Sequence, residues 1–162
     1  MVSVRLYDTA DRLETIDLLC DVHEHYHGVR PDPAIVATHL DGNILDPASP
    51  LVIGLAVEAG EAIGFAAIYI VPSLVEPHPA TNRQCHLKEL FVREAHRGKR
   101  AGGCLMQWAA RHAVENGCGR MDWPVNAGNP SGLKFYQRLG ARQVVDRLSY
   151  RLDGEGLQAL AR

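Results

Sequence analysis

Two apolar runs separated by three residues constrain this chain more than any other feature. "LVIGLAVE" fills residues 51–58 and "AIGFAAIYIV" residues 62–71, with Ala59, Gly60 and Glu61 between them. Each run is short, dense in β-branched and large apolar residues, and joined to the other by a glycine-bearing link. The pair reads as a β-hairpin, mostly buried, around which the rest of the chain must arrange itself.

The flanking segments supply partners. Residues 2–7 alternate as a strand does. Residues 10–27 place Leu13, Ile16, Leu19, Cys20 and Tyr26 close to helical spacing, and Gly28 ends the run. "PDPAIVATHL" predicts a second helix with Asp32 as N-cap and Pro33 in its first turn. Residues 72–83 carry Pro72, Pro77 and Pro79 and read as a loop; 84–93 reads as a strand. Ala101, Leu105, Trp108, Ala109, His112 and Ala113 form one helical face, stopped by Gly117. "RMDWPV" is expected to be a strand parallel to 84–93, because the segment between them has crossover length. "NPSGLKFYQRL" reads as a short helix ended by Gly140, "RQVVDRLSYRL" as a last strand, and the C-terminus as a helical turn or two. The fold class expected is α/β: a mixed, mostly antiparallel sheet of about six strands flanked by helices, in a single domain spanning 1–162.

Composition narrows the function classes. A net charge of −2 gives no general reason to expect nucleic acid or an anionic membrane surface as a partner. No apolar run reaches bilayer-spanning length, and the first residues lack a signal-peptide layout, so a cytoplasmic setting is expected. Cys20, Cys85, Cys104 and Cys118 form no CxxC pair and read as core thiols.

Against that near-neutral background, "EAHRGKRAGG" at 94–103 packs three glycines and four basic residues into ten positions, just before a helix. A helix N-terminus offers unpaired N–H groups and a positive dipole end, and glycine lets an anion come close to the main chain. The stretch therefore reads as a phosphate cradle. It is neither GxxxxGK[ST] nor GxGxxG.

The stretch 87–140 resembles the GNAT family of N-acetyltransferases, which writes [Q/R]-x-x-G-x-[G/A] after a strand ending in an apolar triplet. Here Leu90-Phe91-Val92 is followed by Arg97-Gly98-Lys99-Arg100-Ala101-Gly102, and "NPSGLKFYQRLGA" looks like the family's Asn-containing turn and helix. "LKELFV" and the ending "RLDGEGLQALA" are most similar to the small-molecule branch related to diamine and thialysine acetyltransferases. The resemblance implies acetyl-CoA as co-substrate, no metal, and transfer to a primary amine of a small molecule by direct attack in a ternary complex. Main-chain groups of Leu90, Phe91 and Val92 would hold the pantetheine. Arg97, Gly98, Lys99, Arg100, Ala101, Gly102 and Gly103 would hold the pyrophosphate, with Asn129 and Ser131 binding farther along. Arg100 stands where the family's inner glycine is expected; the expectation is that it adopts helical φ/ψ and sends its planar fork to a phosphate.

An amine of pKa near 10 leaves roughly one molecule in a thousand neutral at pH 7, so such a reaction needs a base and a proton donor. Glu89 is the base candidate and strand alternation puts it on one face with Phe91, opposite Leu90 and Val92. Tyr136 is the acid candidate, seven residues after Asn129 and so expected on nearly the same helix face. Pro124 is expected to splay the parallel pair and open a wedge for the cofactor arm. Glu24, Tyr26 and His27 are expected at the acceptor mouth. Lys88 replaces one of two adjacent acids of the diamine enzymes, and Arg147 and Leu148 stand where those enzymes have acidic residues. An amino acid, whose carboxylate could meet Lys88 or Arg147, is thus as good an acceptor as a diamine.

Two other readings compete. His23, Glu24 and His27 match HExxH and would suit a zinc-dependent hydrolase, although no pattern nominates a third ligand. A catalytically inactive domain that only binds CoA is the other. A homodimer is expected from apolar 51–71 and the C-terminal strand.

Overall fold

The computed structural model describes residues 1–162, which divide into two compact units, Met1–Pro124 and Val125–Arg162. The first holds a five-stranded sheet in the order β1-β2-β3-β4-β5: Ser3–Leu6, Val52–Glu58, Glu61–Pro72, Arg83–Val92 and Arg120–Asp122. β2 and β3 are the hairpin read from the sequence. Ala59 (φ 53°) and Gly60 (φ 90°) close it as a two-residue turn with both residues left-handed, the geometry that matches strand twist. The first three pairings are antiparallel, and β4–β5 alone is parallel.

α1 (Arg12–His27) covers one face of the sheet and α3 (Ala101–Glu115) the other. The strand period shows this directly. Leu55 packs in a buried cluster with Leu18 of α1, Phe65 and Phe91, whereas an added Cβ on neighbouring Gly54 would lie 2.6 Å from the Trp108 ring of α3. Gly54 is bare because the indole occupies the space a side chain would need. Between α1 and β2, α2 (Pro33–His39) begins as expected, with the Asp32 carboxylate accepting from Ala34 N–H at 2.8 Å.

α1 is also tied to the sheet by charge. Arg93, just past β4, pairs with Asp21 at 2.6 Å and with Asp17, and donates to the Ala62 carbonyl at 3.1 Å. Arg30 closes the set on Asp21, Asp17 and Glu24. Burial works against the charged form of Asp21, but the hydrogen bonds from the two guanidinium groups outweigh it and hold its carboxyl below the ordinary range. All four cysteines are free thiols; burial pushes Cys85 up to about 11. No helix is long and apolar enough to cross a membrane.

The second unit contains α4 (Pro130–Arg138) and α5 (Gly154–Leu160). One expectation needs correction here. The sheet has five strands, not six, because "RQVVDRLSYRL" forms no strand: residues 142–152 have no ladder partner within the chain, and Val145, Leu148 and Tyr150 are exposed. A strand's alternation is only a capacity to pair, and nothing in this chain takes it up.

Candidate active site

The first unit builds a site at the C-terminal end of β4. β4 and β5 pair over only three residues, Gln84–His86 with Arg120–Asp122, and the ladder then stops two residues before Pro124. From Leu87 onward β4 is bonded on its β3 side alone. This is the open edge that the proline implied. The N–H of Leu90 does not face β3; Glu89 Oε1 accepts from it at 3.2 Å.

Glu89 reaches the α1 side because β4 carries a bulge. Ala67 opposes Glu89 and Ile68 opposes Leu87, so Lys88 is the extra residue. Cross-strand partners share a face. Leu87 therefore stands with Ile68 on the α3 face, and Glu89 with Ala67 on the α1 face. Glu89 is half-buried there, and Tyr26 Oη donates to its Oε1 at 3.1 Å. Burial pushes the Glu89 carboxyl above the usual range, against the opposing pull of Tyr26, the Leu90 N–H, Lys88 and His25. A carboxylate raised by burial is a better proton acceptor than a solvated one.

The glycine cluster is a cradle of main-chain donors. Gly98 (φ 75°) and Arg100 (φ 72°) are both left-handed, an alternation that turns successive N–H groups toward one concavity. The helical bonds of α3 begin with Cys104 N–H to the Arg100 carbonyl at 3.0 Å, and no side chain caps the N–H groups of Ala101, Gly102 and Gly103 that precede it. These donors fit a phosphate. Arg100 corrects the earlier expectation: it does not adopt helical φ/ψ but holds the left-handed conformation a glycine would take. Arg97 is placed differently as well. Its Nε donates to the Val92 carbonyl at 2.9 Å, its guanidinium lies 5.8 Å from the centre of the Phe91 ring, and its N–H bonds the Glu94 carbonyl. It braces the end of β4. Phe91 contributes its side chain to the core, which leaves only its main chain to serve a ligand.

The last turn of α1 carries the expected acceptor residues. Glu24 is held by Arg30 at 3.4 Å; His27 is exposed, its ring 4.5 Å from that of His23. Gly28 (φ 72°) ends the helix with its N–H on the Glu24 carbonyl. The HExxH reading gains nothing: the His23 ring hydrogen-bonds Val29 O at 2.8 Å, and no three His, Cys, Asp or Glu side chains are grouped to hold a metal. Glu24, His25, Phe91, Glu94 and Arg97 line an open hollow beside this turn. His25, 6.1 Å from Phe91, escaped the sequence reading, as did the Asp17–Asp21–Glu24 ladder. The ladder's i, i+4, i+7 spacing could have announced it.

In the second unit, Asn129 is the N-cap of α4, its Oδ1 accepting from Gly132 N–H and Ser131 Oγ, each at 2.9 Å. It stands outside the helix, at φ −109° and ψ 78°, so the shared helix face expected for Asn129 and Tyr136 does not apply. Tyr136 is half-buried, edge-on to Phe135 at 5.0 Å.

Comparison with known proteins adds to this geometry. The model of the Acetyltransferase (GNAT) family matches residues 12–141. An L-ornithine N5-acetyltransferase of Arabidopsis thaliana is 35% identical over 75 residues, 46% of this chain and 33% of that protein. A thialysine N-epsilon-acetyltransferase of Sus scrofa is 26% identical over 102 residues, 61% of this chain and 57% of that one. The chain thus spans only a third to somewhat over half the length of these curated relatives. Among solved structures, an integron cassette protein from the mobile metagenome of V. cholerae superposes with a TM-score of 0.88 at 30% identity, covering 99% of this chain and 98% of the other.

Proposed function

Because the chain belongs to the acetyltransferase (GNAT) family, we propose that it transfers an acetyl group from acetyl-CoA to a primary amine of a small molecule, by direct attack in a ternary complex. Acetyl-CoA, when bound, supplies the activated acetyl thioester. The N–H groups around Gly98–Gly103 would hold its pyrophosphate, and the open main chain of β4 at Leu90–Val92 its pantetheine arm. Asn129 and Ser131 in the second unit would bind farther along that arm. The observation that carries the reading is Glu89: a half-buried carboxylate on the C-terminal stretch of β4, which lacks a second ladder.

Glu89 takes the proton from the incoming ammonium, which is the step that makes the amine a nucleophile. One main-chain N–H of the open Leu90–Val92 edge would donate to the developing negative charge. Tyr136 Oη would give its proton to the departing thiolate, as the acid that balances the proton taken by Glu89. Glu24 and His27 meet the acceptor. An amino acid with a side-chain amine fits the mixed charge of the hollow, where Glu24 and Glu94 stand with Arg97; the ornithine-acetylating relative supports it, and a diamine follows. A second copy of this chain is the partner we propose, its exposed, strand-patterned 142–152 segment suiting the edge that β5 leaves in the sheet; light scattering would report the dimer.

The test is thiol release from acetyl-CoA across a panel of amino acids and diamines. The wild-type chain is expected to turn over at least one terminal amine. Glu89→Gln is expected to lose the acidic limb of the pH–rate profile. An unchanged limb removes Glu89 from the base role, and no thiol release with any amine removes the activity.

A further inference from the structure

Tyr26 was read from the sequence as a residue that touches the acceptor amine. Its hydroxyl is otherwise engaged. It comes from the last turn of α1, crosses to β4 and donates to Glu89 Oε1 at 3.1 Å; the Leu90 N–H reaches the same oxygen at 3.2 Å. No hydrogen bond in the structure reaches Glu89 Oε2. We propose that Tyr26 is a positioning residue: it anchors one oxygen of the Glu89 carboxylate and so assigns the other, Oε2, to the proton of the incoming amine. This inference deepens the function proposed above and rests on Glu89 being the base.

The support comes from how firmly the Tyr26 backbone is placed. A glutamate side chain has three free torsions, and a base that wanders over them spends little time aimed at its proton. A hydroxyl can hold it only if the hydroxyl itself is held. α1 is fixed against the sheet by the buried side chain of Leu18, packed with Leu55, Phe65 and Phe91, held against α2 by Cys20, and clamped near its middle by Arg93 on Asp17 and Asp21. Its final turn is fixed again from both sides. The His25 ring lies against Phe91, two residues from Glu89 on the same face of β4, and Gly28 caps the helix onto Glu24 at 2.7 Å. His23 then stitches the following chain through Val29 O. Tyr26 therefore projects from a turn that is held to the sheet through His25 on Phe91 and through the Arg93 clamp below it.

The electrostatics run in the same direction. The groups facing Glu89 are Tyr26 and His25 from α1 and Lys88 from its own strand; β3 presents the apolar Ala67. Arg97 acts on Tyr26 from the loop after β4. A hydroxyl that donates to a carboxylate favours the charged form. Burial raises the Glu89 carboxyl, and the Tyr26 hydroxyl works against that rise. Removing the hydroxyl must move the proton affinity of Glu89 upward.

The experiment is Tyr26→Phe, read two ways. The ring of Tyr26 is mostly exposed, so the substitution leaves the core untouched. The first readout needs no turnover: NMR titration of carbon-13-labelled glutamate, with Glu89 assigned through Glu89→Gln. The second is the pH–rate profile with the best amine of the panel. The expected result is a Glu89 titration displaced to higher pH, an acidic limb displaced with it, and kcat at pH 7 lowered about three- to tenfold, with KM for the amine little changed. Glu89→Gln and the double variant should then be equally slow. A Glu89 titration identical in wild type and variant overturns the proposal. A raised KM with kcat intact also overturns it and returns Tyr26 to the substrate. If the titration moves but the limb does not, Tyr26 sets the Glu89 carboxyl without serving the reaction, and the positioning role is lost. Should the wild type acetylate nothing, the proposed activity fails on its own, and the titration still decides whether Tyr26 governs Glu89.

Discussion

Arg100→Gly separates what the Arg100 backbone does from what its side chain does, and the two effects have opposite signs. Arg100 sits at φ 72°, ψ −13°, immediately before α3. That conformation costs an L-residue about 1–2 kcal/mol. Glycine adopts it freely but widens the unfolded ensemble, which returns about 0.4–1 kcal/mol of the gain. The net stabilisation is about 0.5–1 kcal/mol, or roughly 1–4 °C in Tm for a chain of this length. The side chain is the other half. If its guanidinium makes one charge-assisted bond to a phosphate, losing it costs about 1.5–3 kcal/mol, a weakening of CoA binding by about 10- to 150-fold. Scanning calorimetry without ligand reads the first effect, and titration calorimetry with CoA the second. Ala59→Gly is the control: Ala59 is the other non-glycine at positive φ, in the β2–β3 turn. It should raise Tm by a similar margin and leave CoA affinity alone. A fall in Tm for Arg100→Gly would refute the strain argument. Tighter CoA binding would refute the phosphate contact and make Arg100 an obstruction at a site meant for glycine.

Gly54→Ala places a methyl group 2.6–2.7 Å from three atoms of the Trp108 ring; overpacking of this kind costs about 1–3 kcal/mol, and a loss of about 2–10 °C in Tm is expected, recovered largely by adding Trp108→Leu. Asp21 is held below the ordinary carboxylate range, so its contribution to stability is complete above the unfolded value near 3.9 and is lost as pH falls through the lowered folded value. Asp21→Asn should therefore lower Tm at pH 6 and flatten its decline between pH 4 and pH 2; parallel acid curves for variant and wild type would count against the clamp. Tyr136→Phe should lower kcat by about 10²- to 10⁴-fold with little change in CoA affinity, as steady-state kinetics beside calorimetry would show.

Much of the fold was legible because local signals and burial agreed. The β2–β3 hairpin, the Asp32 cap and the α3 stripe each carry their own pattern, and the structure places each within a residue or two. The parallel β4–β5 pair and its early end followed from crossover length and Pro124. The failures have a common cause. The alternation of 142–152 states which face a strand would bury, but the ladder partner must come from elsewhere, and this chain does not provide it. A helical backbone is the expectation for Arg100 because Gly102 and Gly103 can supply the close approach; the structure instead holds it left-handed at φ 72°, immediately before α3. The seven-residue spacing to Tyr136 suggests a shared helix face for Asn129, but Asn before Pro at a helix start is an N-cap signature, and Asn129 takes that position.

The bulge at Lys88 was invisible for a deeper reason, and it decides where the chemistry sits. By plain alternation Cys85, Leu87, Glu89 and Phe91 would share one face, and Glu89 would lie under α3 beside Ile68, walled in by apolar side chains. One additional residue opposite β3 reverses the face between Leu87 and Glu89. Leu87 stays with the α3 core, while Glu89 turns to α1, where Tyr26 and His25 meet it. Bulges serve this purpose next to active sites elsewhere, re-aiming a side chain at the cost of one ladder position. The residue used as the spacer is a lysine, exposed and free of any packing role. Residue 88 thus spaces the strand without joining the core. At that spacer position the chain carries a cation next to Glu89, and Glu89 keeps its place on the α1 face.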